Sequence, residues 1–155
     1  MRVVLQRVSS ATVMVNGQTV GAISQGLVAL VGIAHSDTDE QVAWMAEKLL
    51  AIRLFADEIG KMNLSLRDVG GGLLLVSQFT LYADSKKGTR PSFIDAARPD
   101  NALLIFDALV QRVTATSTPN QPPITIATGA FGAMMQLHLV NDGPVTVILD
   151  KGADT

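Results

Sequence analysis

The first fifteen residues set a two-residue rhythm. MRVVLQRVSS alternates, and Val3 to Val15 is rich in β-branched side chains, as a strand with one covered face requires. Asn16-Gly17 follows, then a similar run from Gln18 to Ile23. Asn-Gly between two such runs predicts a hairpin, because both turn residues need positive φ. Leu27 to Ala34 is apolar almost throughout, which predicts a strand covered on both faces. The period then lengthens. Val42, Met45, Leu49 and Ile52 recur at helical spacing, and Thr38 with Gln41 forms a capping-box pair, so 38–52 reads as an amphipathic helix. Arg53 to Leu64 reads as a short hairpin around Glu58-Ile59-Gly60. Gly70-Gly71-Gly72 breaks the chain ahead of Leu73 to Phe79, another buried strand.

Lys86 to Pro91 is a polar, basic loop. Pro99 opens a second helix at a position where its missing N–H costs nothing, with Leu103, Phe106, Val110 and Val113 as the apolar stripe. Thr116 to Pro123 reads as a loop, and Ile124 to Asp150 returns to strands, interrupted at Asp142-Gly143-Pro144. The whole order predicts an α+β fold, mainly antiparallel β-sheets packed with two helices.

A chain of 155 residues fits one domain, here 1–150 with a short tail at 151–155. The absence of cysteine removes disulfides, thiolate nucleophiles and Cys-ligated zinc, and fits a reducing compartment. The N-terminal segment lacks the apolar stretch of a signal peptide. The longest apolar run, Leu27 to Ala34, is too short to span a bilayer, so a soluble cytoplasmic protein without a membrane partner is expected. The formal charge of −2 is unlike that of a strongly basic nucleic-acid binder, so any RNA contact must rest on a local patch.

Familiar catalytic signatures are missing: no HExxH, GxxxxGK[ST], GxSxG or CxxC occurs, and neither of the two histidines, His35 and His138, has a neighbour at metal-ligand spacing. No metal and no cofactor is expected. Ser77-Gln78-Phe79-Thr80 lies where an apolar strand ends, a place from which polar groups can project into a site; the plainer reading is that Ser77 and Thr80 satisfy backbone groups at a turn. A threonine hydroxyl is a poor nucleophile without a base, and none is evident nearby. Asn141-Asp142-Gly143-Pro144 reads either as an ordinary hairpin turn or as a deliberate irregularity in a strand. Lys86, Lys87 and Arg90, close to Arg98, form the densest basic cluster, a solvated loop or a phosphate contact.

Five segments taken together resemble the D-aminoacyl-tRNA deacylase family. They are Met1 to Ser9 (MRVVLQRVS), Lys61 to Leu66 (KMNLSL), Ser77 to Ala83 (SQFTLYA), Lys87 to Phe93 (KGTRPSF) and Asn141 to Thr146 (NDGPVT). Their order, from residue 1 to about 150, makes the resemblance specific. It implies the family's own barrel-like fold and a homodimer with two sites at the interface, acting on the acceptor end of aminoacyl-tRNA. It implies that Ser77, Gln78, Phe79 and Thr80 line the pocket of one subunit. Gly143-Pro144 of the other subunit, joined by a cis peptide bond and held by Arg7, would reach into that pocket and exclude L-amino acids by a clash. Phe131 and Met135 would lie near the terminal adenosine, and Lys86, Lys87 and Arg90 near the tRNA. Backbone N–H groups at Phe79 and Thr80 would stabilise the oxyanion, with the substrate's own 2′-hydroxyl assisting. Glycyl-tRNA would also be cleaved.

Overall fold

The computed structural model describes residues 1–119 and 121–152. Asn120, within the expected loop to Pro123, and residues 153–155 of the expected tail lie outside the described residues. The strands are β1 (Arg2–Val15), β2 (Gln18–Ile23), β3 (Gly26–Gly32), β4 (Arg53–Ala56), β5 (Met62–Ser65), β6 (Gly71–Ser77), β7 (Ile124–Thr128) and β8 (Gln136–Asp150). The helices are α1 (Asp39–Ala51), α2 (Leu66–Val69) and α3 (Pro99–Ser117).

β1 is the spine. Its N-terminal half pairs with β3, from Arg2–Gly32 to Val8–Gly26, and its C-terminal half pairs with β2 across the Asn16-Gly17 turn. Both turn residues have positive φ, as the sequence demanded. β8 runs antiparallel along the other edge of β1 for nearly its full length. On the far side of β3 come β6 and then β7, both parallel to their neighbours. Those two parallel junctions follow from the long crossovers through α1 and α3, since parallel neighbours need a connection of a dozen residues or more. The remaining pairings are antiparallel. The sheet curls until β2 approaches β7: a Cβ on Gly21 would stand 2.3 Å from the Thr128 carbonyl oxygen, so only glycine fits there. The result is a nearly closed barrel.

Alternation along β6 explains its unbroken apolar run. Leu73 and Leu75 face the helices, beside Leu5, Leu27, Leu49 and Leu109, while Leu74 and Val76 face the barrel interior with Val8, Val13 and Val28. α1 starts as expected: Thr38 and Gln41 form a reciprocal capping box, and Val42, Met45 and Leu49 are buried. The stripe of α3 is rotated from the expectation. Phe106 and Val113 are buried, but Ala102 and Leu109 complete the face, whereas Leu103 is 39 % exposed and Val110 only half-buried. Ala102, 8 % exposed, joins Phe106, Leu109 and Val113 in the core, so the buried face takes a small residue in place of the neighbouring leucines.

Two other elements depart from the sequence reading. The strand expected to run to Phe79 stops at Ser77, and Phe79–Tyr82 forms a 3₁₀ turn. Ser65 and Asp68 cap the single-turn α2, too short to show a period. At the chain ends, the Met1 ammonium is paired with buried Asp37, and Met1 and Lys151 exchange backbone hydrogen bonds at 2.8 and 2.9 Å. No helix among the described residues is long and apolar enough to cross a membrane.

A candidate active site in two parts

The first part is the turn that follows β6. Gln78 N–H donates to the Val31 carbonyl at 2.7 Å, drawing the chain across the end of β3. Leu81 N–H then bonds to Gln78 O and Ala83 N–H to Thr80 O, the i to i−3 pattern of a 3₁₀ turn. In such a turn the first N–H groups, here those of Phe79 and Thr80, have no partner within it. Phe79 is 56 % exposed, and its ring meets that of Phe93 edge-on at 5.1 Å. The Thr80 hydroxyl touches the Gln78 side-chain amide at 2.5 Å. Among the described residues no carboxylate or imidazole contacts it, so no base is in place to deprotonate it. Ser77 and Gln78 are half-buried beneath this rim.

The chain continues into a finger closed by a pair of hydrogen bonds between Asp84 and Ser92, at 2.7 and 2.8 Å. Lys86, Lys87 and Arg90 all sit on this finger and are exposed. Lys86 also lines a polar cleft of about 570 Å³ with Arg2, His35, Tyr82, Asp84 and Asp95. Burial, then the nearby carboxylates Asp37 and Asp150, push the Tyr82 phenol up, so it stays neutral. Phe131 and Met135 belong to the segment between β7 and β8, which starts beside Leu75 and so lies at the same end of the sheet as Ser77. Phe131 packs against Phe106 at 5.9 Å, and Met135 fills the space above Gly129. Met134 between them is 92 % exposed.

The second part interrupts β8. Gln6 pairs with Thr146 and Val8 with Asn141, so four residues, 142 to 145, bulge outward opposite Arg7. Arg7 is only 15 % exposed; it donates to the Asp142 carbonyl at 3.2 Å and the Leu54 carbonyl at 2.6 Å, and lies 3.5 Å from the Asp142 carboxylate. Asn141 braces the bulge from inside, accepting from Val145 N–H at 2.9 Å and donating to Thr146 Oγ1 at 3.0 Å. The peptide bond before Pro144 is cis. Gly143 has φ +129°, and a Cβ there would stand 2.8 Å from Val145 Cγ2 and 3.0 Å from Arg7 Nη2. Only glycine meets both conditions. Gly143 and Pro144 are exposed.

The two parts do not meet within one chain. The turn sits level with the Arg2–Gly32 pair and the bulge level with Arg7, five residues further along β1. At the rise of an extended strand that is roughly 16 Å. The arrangement thus gathers Ser77 to Thr80, the basic finger, Phe131 and Met135 at one end of the sheet, and Arg7 with Gly143-Pro144 elsewhere. Two residues that hold these parts had no catalytic look in the sequence. Arg2, against the turn, was marked only by its place in the N-terminal motif, and Leu54, which receives Arg7 through its backbone, by nothing. Among the described residues no group of three His, Asp or Glu side chains is placed to hold a metal ion.

The family model described as D-Tyr-tRNA(Tyr) deacylase matches residues 4–150. A protein of Geobacillus sp. (strain WCH70) named D-aminoacyl-tRNA deacylase is 54% identical over 151 residues, 97% of this chain and 95% of its own. One of Chloroflexus aurantiacus with the same name is also 54% identical, over 97% of this chain and 91% of its own. Among solved structures, one titled c-Myc DNA Unwinding Element Binding Protein superposes with a TM-score of 0.89 at 38% identity, covering 99% of this chain and 100% of that one. Another, titled as a probable eukaryotic D-amino acid tRNA deacylase, shares the fold at a TM-score of 0.81 and 19% identity, over 97% of this chain and 98% of that one.

Proposed function

This chain belongs to the D-Tyr-tRNA(Tyr) deacylase family and hydrolyses the ester of D-aminoacyl-tRNA; we propose that it does so at sites assembled from two copies of the chain, residues 1–150 of each forming the catalytic unit. The observation that carries this reading is the distance between the two parts of the site. An exposed, braced Gly143-Pro144 bulge and the Phe79–Tyr82 turn lie too far apart to serve one substrate within a monomer. A second copy brings the bulge of one subunit to the turn of the other. The outward side of β8 is consistent with that partner: Val140 and Ile148 are 57 % and 66 % exposed, and among the described strands β8 pairs only with β1.

In the assembled site the Gly143 and Pro144 carbonyls accept from the α-ammonium of the substrate. With the ammonium and ester fixed, chirality decides where the side chain goes. A D side chain points to open space, an L side chain strikes the bulge, and glycine passes because it has nothing to clash. Water attacks the ester carbonyl, charge builds on the carbonyl oxygen, and the N–H groups of Phe79 and Thr80 receive it. The free 2′-hydroxyl of the terminal ribose relays the proton that the 3′-oxygen takes as it leaves. The products are free tRNA and the amino acid. Thr80 positions the substrate and does not attack it, which agrees with its lack of a base. Phe131 and Met135 flank the terminal adenosine, and Lys86, Lys87 and Arg90 take the acceptor-stem phosphates. A tRNA substrate and bacterial relatives named D-aminoacyl-tRNA deacylase support a cytoplasmic reaction.

Single-turnover deacylation of D-Tyr, D-Asp, Gly and L-Tyr esters on their tRNAs tests the filter. The first three are released at broadly similar rates and the last is spared. Clear cleavage of L-Tyr removes the filter. Resistance of the glycyl ester means that a D side chain is positively recognised.

A further inference from the structure

Arg2 is held by three partners at the sheet end that carries the turn, and the proposed reaction gives it no task. Its Nε and Nη2 lie 2.8 and 2.6 Å from Asp150 Oδ2, and its Nη1 donates to the Leu81 carbonyl at 3.1 Å. The guanidinium also sits over the Tyr82 ring, 5.2 Å from its centroid. One side chain therefore ties the last strand, the first strand and the turn together.

The Leu81 carbonyl is the group that needs such a partner. It stands near the C-terminal end of the turn, where carbonyls have no N–H within the turn to accept from. A cation there also offsets the negative end of the turn. The opposite side of the turn is already pinned by Gln78 N–H on Val31 O. Below it lies Gly32, whose missing side chain lets the turn sit flush: a Cβ there would stand 3.0 Å from Leu81 Cβ, 3.2 Å from Gln78 O and 3.3 Å from Tyr82 Cδ2. Gln78, Gly32 and Arg2 thus fix the turn at its start, underside and end. Gln78 adds its side-chain amide on the Thr80 hydroxyl at the start of the turn, and Arg2 is the one that holds the end through a side chain.

We propose that Arg2, oriented by Asp150, is a positioning residue for deacylation: it holds the end of the Phe79–Tyr82 turn so that the N–H groups at its start stay aimed at the ester oxygen. This rests on the oxyanion role given to those N–H groups. Arg2 touches no reacting atom. Loss of its fork leaves substrate binding intact and lets the donors drift, and an oxyanion donor off target by a fraction of an ångström loses most of its worth. Arg2 thus acts on the chemical step and not on affinity.

The test is single-turnover deacylation of D-Tyr-tRNA by the wild-type, Arg2→Ala, Arg2→Lys and Asp150→Asn proteins. Affinity for a non-hydrolysable D-aminoacyl-tRNA analogue and thermal stability are measured on the same samples. The expected result is a fall of about tenfold or more in the rate constant for Arg2→Ala, with the Kd within about twofold of wild type. Arg2→Lys falls between, since an ammonium reaches one of the two partners. Asp150→Asn, which keeps the shape and loses the charge, covers the case in which Arg2→Ala does not fold, and slows the step by a few-fold. Low-millimolar guanidinium partly restores the rate of Arg2→Ala and leaves Asp150→Asn unchanged. An unaltered rate in the substituted proteins overturns the proposal, as does a loss of affinity and stability in step with rate without guanidinium rescue. A wild-type protein that fails to release D-Tyr contradicts the deacylase reading itself, a separate outcome.

Discussion

Arg2 and Arg7 stand five residues apart on the same strand and are used in parallel ways at opposite ends of the site. Each binds a carboxylate and at least one backbone carbonyl from distant segments: the Asp150 carboxylate and Leu81 carbonyl for Arg2, the Asp142 carboxylate with the Asp142 and Leu54 carbonyls for Arg7. They differ in burial. Arg2 is 39 % exposed and shares its load with Gln78 and Gly32, while Arg7 is 15 % exposed and reaches two carbonyls from beneath the bulge. The turn at Phe79 keeps three supports. The bulge, which leaves its β1 register altogether, depends on Arg7 and Asn141. The less regular backbone therefore has the more deeply placed arginine.

That contrast predicts that Arg7→Ala is more damaging than Arg2→Ala. It removes donors from two carbonyls at once and frees the bulge. Release of D-Tyr in a single turnover should fall by on the order of 10- to 100-fold, with some L-Tyr cleavage appearing as the filter loosens. An unaffected D/L ratio would mean that Asn141 alone braces the bulge.

The basic finger belongs to the turn end of the comparison and should act on binding. Replacing Lys86, Lys87 and Arg90 by alanine should weaken tRNA binding roughly tenfold and flatten the slope of log K against log salt by about 2. Titrations at several salt concentrations read this directly, and an unchanged slope leaves the finger as a solvated loop. Thr80→Ala should do less. Removal of a true nucleophile costs on the order of 10⁴-fold or more, whereas loss of a positioning hydroxyl should stay within about tenfold. A drop to background with binding intact would make Thr80 the attacking group.

The smallest expected effect comes from the hairpin that supports Arg7. Asp57 lies below its ordinary value of 3.8 because Asn63 donates to it, and then because Lys61 N–H does. A carboxyl depressed in the folded chain adds stability above that ordinary value and loses it as pH falls through the folded value. Amide exchange in β4 and β5 should therefore quicken only in acid, below pH about 4. Asp57→Ala should show the quickened exchange at neutral pH too, and an exchange rate indifferent to both would remove Asp57 from the support of Leu54.

Much of this was legible in the sequence, for physical reasons. The two-residue period, the Asn-Gly turn and the Thr38–Gln41 box are local signals, and each formed as read. The face of α3 was not legible, because weakly hydrophobic Ala102 is buried while Leu103 and Leu104 beside it are exposed. The end of β6 was misjudged for a similar reason: Phe79 looks like a strand residue, but Val31 O captures Gln78 and turns the chain. The deacylase motifs pointed to Thr80, Gly143 and Pro144 by resemblance. They did not show that the turn and the bulge lie at different levels of β1, since that depends on the β8 register, a contact between residues 140 apart in sequence such as Gln6 and Thr146.

The claim that each site draws on two chains is tested most directly by mixing two impaired proteins. Phe79→Pro removes an oxyanion donor from the turn, and Arg7→Ala disables the bulge. Unfolded and refolded together in equal amounts, half of the dimers contain one of each. Each mixed dimer has one site built from two intact halves and one from two damaged halves. The account predicts that the mixture recovers about a quarter of wild-type deacylation, well above the residual rate of either protein alone. No recovery, with mixed dimers present by mass, would place both halves of the site in a single chain and contradict the account.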